Sequence, residues 1–242
     1  MSIDFVLASA SPARRKLLQS MGINPFICAS NFDESTVKLT DPVARVETLA
    51  QRKVETVMRQ FRDSLILGCD SMMVMDGEVY GKPRDRDEAF SRWQKMRGNH
   101  GILYTGHALF DQRQNQMVVR CGITRVYFSK ISDLHIRAYI ATGEPLACAG
   151  SFALEGKGSA LVDKIEGCHT NVIGLSLPLF RSMLAELHYN LFDYWGLPLL
   201  DKLAISGDLS QTSGALDSTP PPPLPARPAS ASDDSPISGN LY

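Results

Sequence analysis

The chain has 242 residues, a formal net charge of -1 and 44% hydrophobic residues, the profile of a globular protein with a sizeable core. Near-neutral charge offers no field for nucleic acid or anionic membranes, and no apolar run approaches the about 18 residues that cross a bilayer. Five cysteines, an odd number, widely spaced and without a CxxC pair, argue against a disulfide framework or zinc site and make a reducing cytoplasm the default.

The first residues, MSIDFVLASASPARRK, carry their charges after the apolar stretch, the reverse of a secretory signal. Ile3 to Ala8 is expected to be a strand. A helix follows in which Ser11 is a good N-cap, Pro12 takes the first helical position and Gly22 is a natural stop. Arg14, Arg15 and Lys16 crowd its first turn, where the helix dipole disfavours cations by roughly 0.3–1 kcal/mol each. No acid offsets them. A turn presenting free N–H groups, the hydroxyl of Ser9 and arginines suits an anion such as phosphate, whereas a solvated basic turn is the plain alternative.

Phe26 to Ala29 reads as a second strand, with Asp33-Glu34 solvated in a polar connection. From Asp41-Pro42 an amphipathic helix runs to about Phe61, its apolar stripe formed by Val43, Val46, Ala50, Val54, Val57 and Phe61. Lys53 lies at the edge of that stripe, the usual position of a lysine that snorkels outward on its aliphatic stem.

Leu65 to Leu67 is a buried strand that ends on Gly68-Cys69-Asp70. The pattern resumes at Met72 to Met75, and Asp76-Gly77 is a preferred hairpin pair that turns the chain back along Glu78 to Tyr80. Gly81-Lys82-Pro83 stops the return strand and brings Lys82 near Asp70. A carboxylate enclosed in apolar sequence requires a cation, a metal or hydrogen-bond donors, and a structural Asp–Lys pair would meet that need as well as a functional one.

Asp85 to Gly98 is a helix with Asp85 and Glu88 spaced as a capping box, and Ala89, Phe90, Trp93 and Met96 on its buried face. Gly101 to Phe110 and Gln116 to Phe128 are two long strands; His107, in the first, reads as a packed strand residue. Ser132 caps a helix that stops at Gly143. The glycine-rich stretch from Ala147 to Gly174 places Glu155 among small residues, and Leu177 to Leu187 is the last amphipathic helix, with Phe192 to Leu200 as apolar closure. From 205 onward Ser, Pro, Gly and Ala dominate, which describes a disordered tail. Within it Pro222 to Arg227 fits a PxxPxR ligand pattern.

Several signatures are ruled out. GEVYGK at 77–82 is one residue short of a P-loop and lies in a hairpin; there is no GxSxG elbow and no HExxH helix. What remains is a charge set: Arg14, Arg15, Lys53 and Lys82 as cations, Glu34, Asp70 and Glu155 as carboxylates. Cations and carboxylates without paired histidines suit a polyphosphate held with a hard divalent ion, Mg²⁺ or Mn²⁺.

Seven segments in register then resemble one family: LASASPARRKLL at 7–18, FDE at 32–34, LAQRK at 49–53, GCDSMMVMDGEVYGKP at 68–83, GNHGILYTG at 98–106, GEPLACAGSFALEG at 143–156 and NVIGLSLP at 171–178. The chain is identified from them as resembling the Maf family of nucleoside triphosphate pyrophosphatases. The resemblance covers about Ile3 to Met183 and implies a mixed α/β fold with flanking helices and two lobes around a deep nucleotide cleft, in a domain expected to run over residues 1–204. It implies hydrolysis of a nucleoside triphosphate to monophosphate and pyrophosphate. Ser9 and Arg14 match its phosphate-handling positions, with Arg15 auxiliary. Lys53 and Lys82 match further cations, Glu34 and Asp70 the acidic, metal-binding positions, and Asp70 the proton acceptor. Ala13 departs from the arginine that many members place after Ser-Pro. Glu155 stands where members preferring dTTP and UTP carry Gln, and resembles the branch acting on 7-methyl-GTP. The substrate is then the partner expected, with homodimerisation left open. A non-catalytic nucleotide-binding regulator of division and an inosine-triphosphate-type pyrophosphatase are the rival readings.

Overall fold

The computed structural model of the protein describes residues 3–195. The expected tail from 205, its PxxPxR stretch and the end of the Phe192–Leu200 closure lie outside those residues. A seven-stranded mixed sheet runs in the order β2-β1-β3-β5-β6-β7, with β4 paired to β3. Its strands are β1 (Asp4–Leu7), β2 (Phe26–Ile27), β3 (Ser64–Met75), β4 (Glu78–Tyr80), β5 (His100–Asp111), β6 (Gln116–Phe128) and β7 (Val162–Glu166). Strand β1 is parallel to β2 and β3, and the remaining pairs are antiparallel. The helices are α1 (Pro12–Ser20), α2 (Pro42–Val57), α3 (Arg86–Met96), α4 (Asp133–Ala141), α5 (His169–Ile173) and α6 (Leu177–Glu186).

The local chemistry explains most boundaries. Ser11, Asp41, Asp85, Ser132 and Ser176 each accept a backbone N–H at a helix start. Asp76 and Gly77 both adopt positive φ, which the twist of a two-residue hairpin requires. Glu88 departs from the expected capping box: its carboxylate accepts from Arg84 N–H at 2.8 Å, one residue outside the cap. The second strand is shorter than expected, Phe26–Ile27 only, with both residues exposed. Asp33 and Glu34 are exposed, as expected, but the connection is not irregular there: Asp33 accepts from Ser35 N–H and starts a single 3₁₀ turn, Glu34–Thr36.

Three apolar clusters hold the layers. One joins β1 to α1 and α6 through Phe5, Leu18, Phe180 and Leu184. A second packs the far halves of β3, β5 and β6 against α3 and α4, with Trp93 at its centre beside Phe128 and Tyr139. These are the two lobes. The third fills the space between α2 and the sheet. Strand β3 passes through both lobes and is the main correction to the sequence reading. It does not stop at Gly68-Cys69-Asp70 but continues unbroken to Met75. Its first residues pair with β1 and its last with β4, so 68–72 lack a strand neighbour on that edge. The cleft opens at this gap.

Candidate active site

A cavity of about 740 Å³ lies at the uncovered edge of β3, lined by Ser9, Arg14, Glu34, Lys53, Asp70, Ser71, Lys82 and Glu155 among others. Every residue of the charge set except Arg15 therefore faces one space, together with Ser9. Arg15 and Lys16 are exposed and outside the lining.

Helix α2 lies directly on β3 and β5 because two strand positions have no side chain. A Cβ on Gly68 would collide with the carbonyl oxygen of Ala50, and one on Gly106 with that of Val46. Gly106 is the register partner of Asp70. The close approach carries Lys53 to Asp70, with Nζ 2.6 Å from Oδ1. The same Nζ lies 2.7 Å from Glu34 Oε1. Lys53 and Asp70 are each only 8% exposed, so Lys53 does not snorkel and it, not Lys82, is the partner of Asp70. Lys82, exposed on the turn after β4, reaches the cleft from the other lobe.

Successive residues of a strand point to opposite faces. Asp70 meets α2, whereas Ser71 meets α1. Arg14 crosses the first turn of α1 and donates from Nε to the Gly174 carbonyl at 2.8 Å, from Nη1 to Ser9 Oγ at 3.2 Å and from Nη2 to Ser71 Oγ at 3.0 Å. Ser71 Oγ lies 3.0 Å from Thr105 Oγ1, which donates to the Asn171 carbonyl at 3.0 Å. The cation that the helix dipole disfavours is thus held in place by three oxygens from β1's exit, β3 and the end of α5. Ser71, Thr105 and Asn171 were not among the sequence candidates.

Phe32, Leu103, Phe152 and Val172 add apolar surface to the same cavity, and exposed Glu155 also lines it. The loop after Glu155 is stapled by Glu144, whose carboxylate accepts from Lys157 N–H and Gly158 N–H at 2.9 Å each and from the Tyr139 hydroxyl at 2.8 Å. Burial opposes its charge, yet these donors hold Glu144 below the usual carboxylate range. Cys148 also lines the cleft. Burial, then the fields of Glu155 and Glu144, push its thiol up, which disfavours its ionisation.

The donor set can be tested against a divalent ion. The described residues contain no cluster of three or more His, Cys, Asp or Glu placed to hold a metal. Glu34 and Asp70 are two hard-oxygen donors that converge on Lys53. Two carboxylates fit an ion that arrives on a triphosphate, since Mg²⁺ commonly takes one or two carboxylates, phosphate oxygens and waters.

Comparison with known proteins gives the family of the chain. The family model described as Maf-like protein matches residues 4–187. A nucleoside triphosphate pyrophosphatase of Gloeothece citriformis is 63% identical over 195 residues, covering 81% of this chain and 100% of the relative. One of Nostoc punctiforme is 61% identical over 191 residues, covering 79% and 97%. One of Synechocystis is 53% identical over 191 residues, covering 79% and 98%.

Proposed function

The chain belongs to the Maf family, and from that premise we propose that it is a nucleoside triphosphate pyrophosphatase, cleaving the α–β phosphoanhydride to release monophosphate and pyrophosphate. The observation that carries this reading is a single cleft in which Arg14, Lys53 and Lys82 face the same space as Asp70. Among the described residues only Lys53 bonds the Asp70 carboxylate, through Oδ1.

The division of labour follows from position. Ser9, Arg14 and the N-terminus of α1 receive phosphate oxygens, and Lys82 closes on them from the second lobe. Together they offset the charge that grows on the departing pyrophosphate. Arg15, exposed beside them, adds field only. Asp70 orients the attacking water and accepts its proton, with Lys53 fixing the carboxylate. Glu34 and Asp70 would hold Mg²⁺ or Mn²⁺, which supplies charge neutralisation on the phosphate oxygens. Glu155 is assigned to the base edge. A carboxylate can accept from N1–H and the exocyclic amine of a guanine-type base, which favours 7-methyl-GTP over dTTP and UTP. The five free thiols support a reducing cytoplasm as the compartment. No helix among the described residues is long and apolar enough to cross a membrane.

The test is pyrophosphate release with Mg²⁺ or Mn²⁺ across dTTP, UTP, CTP, GTP, ITP and 7-methyl-GTP, with Asp70→Asn and Glu155→Gln alongside. Release lost in Asp70→Asn is the expected result. A preference for dTTP and UTP would keep the enzyme and remove the Glu155 assignment. Tight nucleotide binding without release from any substrate would return the non-catalytic regulator.

A further inference from the structure

A second cavity, of about 350 Å³, lies between β6 and the α5–α6 segment. Helix α5 divides it from the nucleotide cleft: Val172 and Ile173 line the cleft, whereas Cys168 and Asn171 line the second cavity. Cys121 and Arg181 complete its reactive and charged groups.

The two thiols are poised oppositely. Cys168 Sγ is 3.1 Å from Thr170 Oγ1. That hydroxyl already accepts from Leu177 N–H at 3.0 Å, so its own hydrogen is left for the sulfur. Ser176 Oγ accepts from Leu179 N–H at 3.4 Å and is likewise left with a hydrogen to give. The backbone N–H groups of Thr170 and Asn171 act on the thiol in the same direction. Burial opposes ionisation, but this surround of donors outweighs it and holds the thiol below its ordinary value. Cys121 has no such surround, and burial, then the field of Glu47, pushes it to about 11.

A second observation points to a ligand. Asn171 is fully buried and donates from Nδ2 to Thr124 Oγ1 at 3.1 Å, but its Oδ1 has no partner and rests on Gly122, another cavity residue. A buried amide oxygen without a donor calls for one from outside the chain. Exposed Arg181 places a cation beside the same space. A thiol eased toward ionisation, an unmet acceptor and a cation match a small molecule that brings a disulfide, amide N–H groups and a carboxylate.

We propose that this cavity is a thiol-modification site in which Cys168 captures a low-molecular-weight peptide disulfide. The Cys168 thiolate attacks one sulfur of RS–SR, forming Cys168–S–SR while the original S–S bond breaks. The Cys168 sulfur is oxidised, the expelled sulfur is reduced, and RS⁻ takes a proton from water. The mixed disulfide removes the sulfur from the Thr170 and Ser176 hydroxyls and displaces α5. That helix ends in the Asn171 and Gly174 carbonyls that hold Thr105 and Arg14. Modification therefore loosens Arg14 in the cleft, a consequence that rests on the proposed hydrolysis.

The experiment treats the full chain with oxidised glutathione and, separately, with neutral hydroxyethyl disulfide, and reads each cysteine by peptide mass spectrometry. Cys168 is expected to react about tenfold faster than Cys28, Cys121 or Cys148. Oxidised glutathione is expected to outpace the neutral disulfide, and Arg181→Ala to erase that preference. Modified chain shows a severalfold higher KM for nucleotide, reversed by dithiothreitol and absent in Cys168→Ser. An unreactive Cys168, or one no faster than the other thiols, overturns the site. Equal rates with the two disulfides overturn the ligand cavity, and an unchanged KM overturns the link to Arg14. The mass readout needs no activity, so it decides the thiol site even if no nucleotide is hydrolysed.

Discussion

Lys53 Nζ lies 2.6 Å from Asp70 Oδ1 and forms a buried ion pair between α2 and β3. Removing either partner should therefore act on different properties. Asp70→Asn keeps the shape and a hydrogen bond to the ammonium but loses the base, so kcat should fall by about 10²–10⁴ with thermal stability nearly kept. Lys53→Met strands a buried carboxylate, which costs on the order of 3–5 kcal/mol. Urea melts beside pyrophosphate-release assays separate the two. A Lys53→Met chain as stable as the parent would show that the pair contributes nothing to the fold.

Gly106→Ala tests how that pair is brought together. The added methyl meets the Val46 carbonyl, and α2 must lift from the sheet at the position opposite Asp70. Overpacking of this kind typically costs about 1–3 kcal/mol. Activity should fall further than that loss of stability explains at a temperature where the chain remains folded, because Lys53 moves away with its helix. Parallel circular dichroism and kinetics at one temperature check it.

The sequence revealed the elements better than their contacts. The period of α2, the caps at Ser11, Asp41 and Asp85 and the Asp76-Gly77 hairpin were all legible, because each depends on neighbours in the chain. The partner of Asp70 was not. Lys82 is brought close by a local hairpin, whereas Lys53 arrives by packing of a helix across the sheet. The sign of that packing was present in Gly68 and Gly106, glycines inside strand patterns that allow a close backbone approach. Ser71 and Thr105 gave no signal, since hydroxyl residues are ordinary in strands and only the register sets them side by side. The end assigned to the strand at Asp70 failed for a related reason. A charge looks like a boundary until a buried cation is found to meet it.

Ser71→Ala should weaken substrate binding more than chemistry. It removes the acceptor of Arg14 Nη2 and the link to Thr105, while the bonds to Ser9 and Gly174 remain. A loss of about 0.5–1.5 kcal/mol corresponds to a rise in KM of roughly two- to tenfold, with kcat within about a factor of three. Ser71→Thr, which restores the hydroxyl, should recover most of it. A kcat collapse at unchanged KM would instead place Ser71 at the reacting atoms.

His107 gives the fold an acid limit. Its ring is fully buried in β5, and Nε2 accepts the N–H of Ser176, the N-cap of α6, at 2.9 Å. Only the neutral ring can accept there; a protonated ring would turn a second donor toward that N–H. Burial, then the positive field of Arg14, lowers its pKa to about 4 from the ordinary 6.5. Between those values the unfolded chain binds a proton that the folded chain does not. Stability is therefore complete above about pH 6.5, falls as pH drops through this window, and levels below about 4, with a total loss on the order of 3 kcal/mol from this residue. His107→Gln can still accept from Ser176 N–H through its amide oxygen but does not titrate. Urea midpoints measured from pH 7 to 4 should decline more steeply for the parent than for His107→Gln, and parallel profiles would show that the ring titrates without cost to the fold.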